Sequence, residues 1–270
     1  MGNPMRNISA ITGKTASSLL AVILIFVTAN ICPAGSEFQY SHGGIIRADR
    51  SEKKIALIFT GGDFGDGGKM IRKILKQKNI PATFFFTGDF YRNPEFKSII
   101  RGLHKDGHYL GPHSDKHLLY CDWEKRDSLL VTRSQFRDDL LANFTEMKKF
   151  GINPDESRFF MPPYEWYNDS ISVWTHELGL TLINFTPGTL SNTDYTIPSM
   201  YNYRSTGTIY DSIVSYEQKD PQGLNGFLLL IHIGTHPERT DKFYFRLAEL
   251  IDYLRHKGYT FERIDDLLTN

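Results

Sequence analysis

The chain of 270 residues fits one barrel-sized domain, and with 31 basic against 31 acidic residues it is formally neutral. Its 40% hydrophobic and 13% aromatic content is that of a packed globular protein, which excludes a disordered or fibrous chain. No basic stripe follows a phosphate backbone, so nucleic acid is not an expected partner.

Arg6 and Lys14 flank the start of the chain, no acid occurs before Glu37, and an apolar stretch runs from Leu19 to Ala29. That stretch is short for a bilayer span and has the layout of an export signal, with Ala29 and Ala34 as cleavage points. Residues 1–34 are therefore expected to be a signal peptide and the rest to be exported, to the periplasm, the cell surface or the medium. Lipid anchoring at Cys32 is the alternative, disfavoured because Ile31 is larger than the residue expected before a lipidated cysteine. Cys121 is then the only cysteine left, which excludes an internal disulfide; its expected role is that of a small buried hydrophobe.

Residues 35–52 are polar and lack periodicity, and are expected to be a linker into a domain at 53–270. Strands are expected at 55–59, 82–86, 108–110, 158–161, 180–185, 227–233 and 259–263, each short and rich in β-branched or aromatic residues. Between them, a helix should start at Thr132 with a capping box to Gln135, carry Phe136, Leu140, Phe144 and Met147 on its apolar side, and stop at Gly151. Further helices are expected at 169–178, ending at Gly179, and 241–257, ending at Gly258. Alternation of this kind implies an α/β fold with a parallel sheet, open or closed into an irregular barrel.

In such folds functional side chains gather beyond the carboxyl ends of the strands, and the polar motifs of this sequence fall there. His113 and His117 are spaced to share one helical face and grip a metal ion, though the same spacing also fits a polar loop. A carboxylate would complete a His-His-Asp set, with Asp63 and Asp66 as candidates; their glycine-rich surroundings fit a tight turn equally well. Phosphate binding there is disfavoured, because the loop lacks the P-loop lysine. His232 ends the most apolar strand, either as a hydrogen-bonded core histidine or as a general acid.

The order of these motifs resembles the polysaccharide deacetylase family, carbohydrate esterase family 4. His113-Ser114-Asp115-Lys116-His117 is similar to its metal motif, Pro162-Pro163-Tyr164 to its Pro-Pro-aromatic loop, and Leu229-Leu230-Ile231-His232 to its late motif with the catalytic acid. Ala82 to Gly88 is similar to its second strand. The resemblance covers roughly 53–268 and implies a distorted (β/α) barrel of about seven strands in a single domain. It also implies a divalent metal, zinc by donor type, on Asp63, His113 and His117.

In that reading Asp66 is a base or alternative ligand, the Tyr164 N–H stabilises the oxyanion, and His232 protonates the leaving group. Pro163, Trp166, Tyr167 and Trp123 are substrate-contact candidates. The implied activity is removal of acetyl from an N- or O-acetylated glycan by a monomer or weak oligomer without a membrane span. The alternative is a catalytically impaired carbohydrate-binding domain, because the pattern departs from the family in four places. Thr60 and Gly61 stand where the family has two adjacent Asp residues, Met161 replaces an Arg, and Glu165 replaces a Gly. Arg158 cannot stand in for that Arg, since an offset of three along a strand reverses the face. No acidic partner for His232 is evident, only Asn184 near the matching strand end.

Overall fold

The computed structural model describes residues 1–2 and 38–269; the expected export signal, its cleavage points and Cys32 lie outside the described residues, apart from residues 1 and 2. In chain order the elements are β1 (Gln39–Ser41), β2 (Gly44–Arg47), β3 (Lys54–Gly61), α1 (Gly68–Lys78), β4 (Thr83–Phe86), α2 (Gly88–Arg92), α3 (Lys97–Lys105), β5 (Tyr109–Pro112), α4 (Arg133–Lys148), β6 (Phe159–Phe160), α5 (Asp169–Glu177), β7 (Thr181–Leu182), α6 (Thr206–Lys219), β8 (Phe227–His232), α7 (Leu247–His256), β9 (Thr260–Phe261) and α8 (Ile264–Leu267). All seven expected strands form, at the expected places.

The main sheet runs β1-β2-β8-β3-β4-β5, with β9 also pairing with the start of β3. β8, β3, β4 and β5 are mutually parallel, and β6 and β7 form a separate parallel pair. The sheet curls because the gaps are bridged. Met161 N–H reaches Pro112 O at 3.4 Å, joining β6 to β5, and Asn184 N–H reaches Ile45 O at 2.8 Å, joining β7 to β2. The result is the expected distorted (β/α) barrel.

Two apolar layers follow from the two-residue period of the strands. On β3, Ile55, Leu57 and Phe59 face the helices, whereas Ala56 and Ile58 face the barrel interior with Leu228, Leu230, Met161 and Ile183. These side chains are buried, and each contributes about 1.5–3 kcal/mol if it is as large as Val, Leu or Phe. At one end Ile264, Leu267 and Leu268 close the barrel interior, so the cavity has to lie at the other end.

Two expectations need correction. The segment 35–52 is not a mere linker, because 39–47 is a hairpin whose second strand pairs antiparallel with β8 at Arg47 and Phe227. His42 and Gly43 both have positive φ, 46° and 76°, the geometry of a two-residue hairpin turn. Arg47 is buried but satisfied by the Asn225 and Gly223 carbonyls, each at 2.8 Å; a polar residue at an inward position hides the strand pattern. Secondly, the helix expected at 241–257 begins as a tighter 3-10 turn, Phe243–Arg246, before α7. The tighter winding buries Phe243 and Tyr244 and leaves Phe245 exposed. The capping box of Thr132 and Gln135 on α4 forms as expected.

Candidate active site

A cavity of about 830 Å³ opens at the carboxyl ends of the strands, bounded by Thr60 to Phe64 after β3, Thr87 after β4, His113 to His117 after β5, Tyr164 to Trp166 after β6, Phe185 after β7 and His232 at the end of β8. The fold itself gathers these motifs, since parallel strands deliver their loops to one rim.

The two histidines are brought together without a helix. Ser114 and His117 have φ of 74° and 53°, and the His117 N–H donates to Ser114 Oγ at 2.9 Å, which folds the loop back on itself. The rings meet edge to face with centroids 5.1 Å apart. His113 donates Nδ1–H to the Met161 carbonyl at 2.8 Å, which leaves Nε2 with its lone pair. Burial holds both imidazoles neutral: the His113 pKa is pushed far down and that of His117 down to about 4, with the neighbouring His charges adding to the effect.

Helix α4 clamps this loop through a polar stripe that composition alone disguised. Asn143 accepts from the His113 N–H at 2.9 Å and donates to Phe86 O at 3.1 Å. Asp139 accepts from the Lys116 N–H at 3.0 Å and from the Tyr120 hydroxyl at 2.8 Å. Asp115 is gripped by Arg92 at 2.8 and 2.9 Å. Spacing of four puts 139 and 143 on one face; that signal was readable in the sequence beside the apolar stripe.

A divalent ion needs three or more such donors, and the expected set is incomplete. His113 and His117 are fit for the purpose. However, no three His, Cys, Asp or Glu side chains among the described residues gather closely enough to hold an ion. A Cβ at Gly61 would lie 2.8 Å from Ile233 Cγ2 and 2.9 Å from Phe86 Cδ1, so this position faces the packed helix layer and could offer no ligand. Asp63 borders the cavity but is exposed to solvent. The described residues do not make a three-ligand site.

Asp66, a candidate base or ligand, is engaged elsewhere. It accepts from the Thr235 N–H at 2.9 Å and the Tyr244 hydroxyl at 2.8 Å, with Lys242 Nζ at 3.1 Å. Burial raises its pKa, but these donors outweigh it and hold the carboxyl below its usual range. It fastens the β3 loop to the segment after β8 and does not border the main cavity. Thr60 does border it, with a buried hydroxyl that has no hydrogen-bond partner among the described residues.

On the other wall His232 is the register partner of Thr60 across β3 and β8. Its ring Nδ1–H donates to Asp194 Oδ1 at 2.6 Å and its backbone N–H to Oδ2 at 3.0 Å. Burial opposes the imidazolium, but the charge and hydrogen bond of Asp194, with the charge of Glu165, raise the pKa above its ordinary value. The acidic partner that the sequence left unidentified is therefore Asp194, ten residues beyond Asn184. Asn184 instead donates to the Glu165 carbonyl at 2.8 Å. Asp194 lies in a loop twelve residues beyond β7, and no local pattern marks it.

The Pro162-Pro163 turn presents Tyr164 and Glu165 with φ of 59° and 53°. Of six non-glycine residues with positive φ among those described, four are Ser114, His117, Tyr164 and Glu165, so backbone strain concentrates at this cavity. Pro162 and Pro163 carbonyls take the N–H groups of Glu165 and Trp166 at 3.1 and 3.2 Å, and among the described residues none takes that of Tyr164, which leaves it available to an oxyanion. Glu165 also borders the cavity; burial pushes its carboxyl up to about 7 against the opposing charge of His232, with Asp194 adding to the rise.

The substrate-contact candidates divide. Trp166 borders the cavity with the Arg126 guanidinium 4.0 Å over its ring, and exposed Trp123 lies 5.5 Å from Trp166 and 5.6 Å from Tyr164. Pro163 and Tyr167 are buried, the latter donating its hydroxyl to Ser41 O, and both serve packing. Cys121 is buried, as expected. Met161 sits inside the barrel and Arg158 outside it, bonded to Asp155. No described helix is long and apolar enough to cross a membrane.

Comparison with known proteins agrees with this architecture. The peptidoglycan-N-acetylmuramic acid deacetylase PdaA of Bacillus subtilis (strain 168) is 25% identical over 217 residues, 80% of this chain and 72% of the relative. Among solved structures, a CE4 family pseudoenzyme from Bacillus anthracis shares the fold with a TM-score of 0.64 at 18% identity, covering 84% of this chain and 69% of that one. A family 4 acetyl xylan esterase from Clostridium thermocellum, in complex with a cobalt ion, gives 0.60 at 22% identity over 80% and 90%. The family model for polysaccharide deacetylase matches residues 47–183, half of the chain, and the protein belongs to that family.

Proposed function

We propose that this protein hydrolyses an acetyl amide or ester on a polysaccharide, an N-acetylated amino sugar of the kind named for the Bacillus relative being the favoured substrate class. The observation that carries this reading is that His232, paired with Asp194, borders the same cavity as Tyr164, whose backbone N–H has no hydrogen-bond partner among the described residues. The N–H is placed to stabilise a tetrahedral oxyanion. The imidazolium of His232, stabilised by Asp194, is an acid suited to protonating a leaving amine or alkoxide. Trp123, Tyr164 and Trp166 give an exposed aromatic surface beside it, on which a sugar ring can stack.

Export is part of the same proposal, on the strength of the charge and apolar pattern of residues 1–34. A second reading, a glycan-binding domain without turnover, is favoured by Thr60 and Gly61 at the two carboxylate positions and by the missing third metal donor. Acetate release from N-acetylated chito-oligosaccharide and from acetyl-xylan tests the two. Release supports hydrolysis, whereas saturable glycan binding without acetate supports the binding domain.

A further inference from the structure

We propose that Glu165 is the general base of this site, taking the place left without a carboxylate at Thr60. The inference rests on the hydrolase reading above. Hydrolysis needs a group that removes a proton from water as its oxygen attacks the acetyl carbon, and the acids of the rim are not equally free to do so.

Asp89, on the cavity wall, is committed to Arg92 and Lys116, Asp66 to Thr235, Tyr244 and Lys242, Asp194 to His232, and Asp115 to Arg92. Asp63 stands in solvent at the cavity mouth, where no wall shields it from water. Glu165 is half-buried on the cavity wall, and no hydrogen bond from a described residue reaches its carboxylate. Its desolvated carboxyl titrates near neutrality, the range in which a base of this kind is most effective.

The backbone supports the same assignment. Where the family resemblance implies glycine, this chain keeps a side chain at a φ of 53°, and the position is pinned by its N–H to Pro162 O and by Asn184 to its carbonyl. Strain of this kind persists where the surroundings enforce it, most often at functional sites. The preceding residue supplies the free Tyr164 N–H, so oxyanion donor and base come from consecutive residues of one turn. Water loses a proton to Glu165 and its oxygen bonds to the acetyl carbon. The tetrahedral adduct then collapses with cleavage of the carbon–nitrogen or carbon–oxygen bond, and His232 protonates the leaving group as acetate departs.

The test compares the full chain with Glu165→Gln and with the double variant Thr60→Asp/Glu165→Gln, measuring acetate release from N-acetylated chito-oligosaccharide and its binding. Glu165→Gln is expected to lower kcat about 10²- to 10⁴-fold with KM and glycan binding little changed. The double variant should regain at least about tenfold, since Thr60 sits beside His232 in register and a carboxylate there can serve the same water. A Glu165→Gln enzyme that keeps its kcat, a loss confined to KM, or a double variant no faster than the single one overturns the assignment alone. Absence of acetate from the unmodified protein overturns the hydrolase reading together with it.

Discussion

Asp194 holds His232 at two points, accepting from the ring at 2.6 Å and from the backbone at 3.0 Å, so one carboxylate fixes both the orientation of the imidazole and its charge. The first consequence concerns pH. The raised pKa of His232 means that the acid form persists to higher pH than a free imidazole allows. Activity should fall as pH rises through that value. Replacing Asp194 with Asn removes the main stabilising charge, so the alkaline limb of kcat/KM against pH should move to lower pH. An unmoved limb would assign it to another group. The same pair links stability to pH: its contribution is full below the unfolded histidine value of about 6.5 and is lost as pH rises through the folded one.

Asn143→Ala should destabilise the fold by about 1–3 kcal/mol, because it leaves the buried His113 N–H and Phe86 carbonyl without their partner. Urea unfolding of the variant measures this directly. Turnover should fall too, since the loop that carries His113 and His117 loses its anchor to α4.

Glu165→Gly should behave in the opposite way. Relieving a non-glycine residue at positive φ is expected to stabilise by about 1 kcal/mol, while acetate release is lost. A variant that is both less stable and inactive would mean that the side chain serves packing.

Trp123→Ala should raise KM about three- to tenfold, within the range of an aromatic contact, and leave kcat unchanged. Its ring is exposed and meets the side-chain rings of Trp166 and Tyr164, the surface on which a sugar would stack. Steady-state kinetics on chito-oligosaccharides of increasing length would locate the stacked sugar.

Two imidazoles without a third ligand should hold zinc weakly. Protein dialysed against metal-free buffer is expected to retain well under one equivalent, and His113→Ala to retain none. Full retention would show that Asp63, free in solvent beside the cavity, swings in as the missing donor.

The sequence by itself determined the strand positions, the capping box of α4 and the rim on which chemistry collects, because each depends on local periodicity and on the parallel order of strands. His113, His117, Tyr164 and His232 were legible for the same reason: they lie at or next to strand ends. The hairpin at 39–47 was not, since a four-residue strand with a buried Arg47 has no period to read. Only the tertiary structure decided which carboxylate serves which partner. Asp194 meets His232 across 38 residues, Asp66 meets Tyr244 across 178, and Asn143 meets His113 across 30. Such pairings are set by how the barrel curls, and a hydrogen bond leaves no trace in the spacing of residues that folding alone brings within 3 Å.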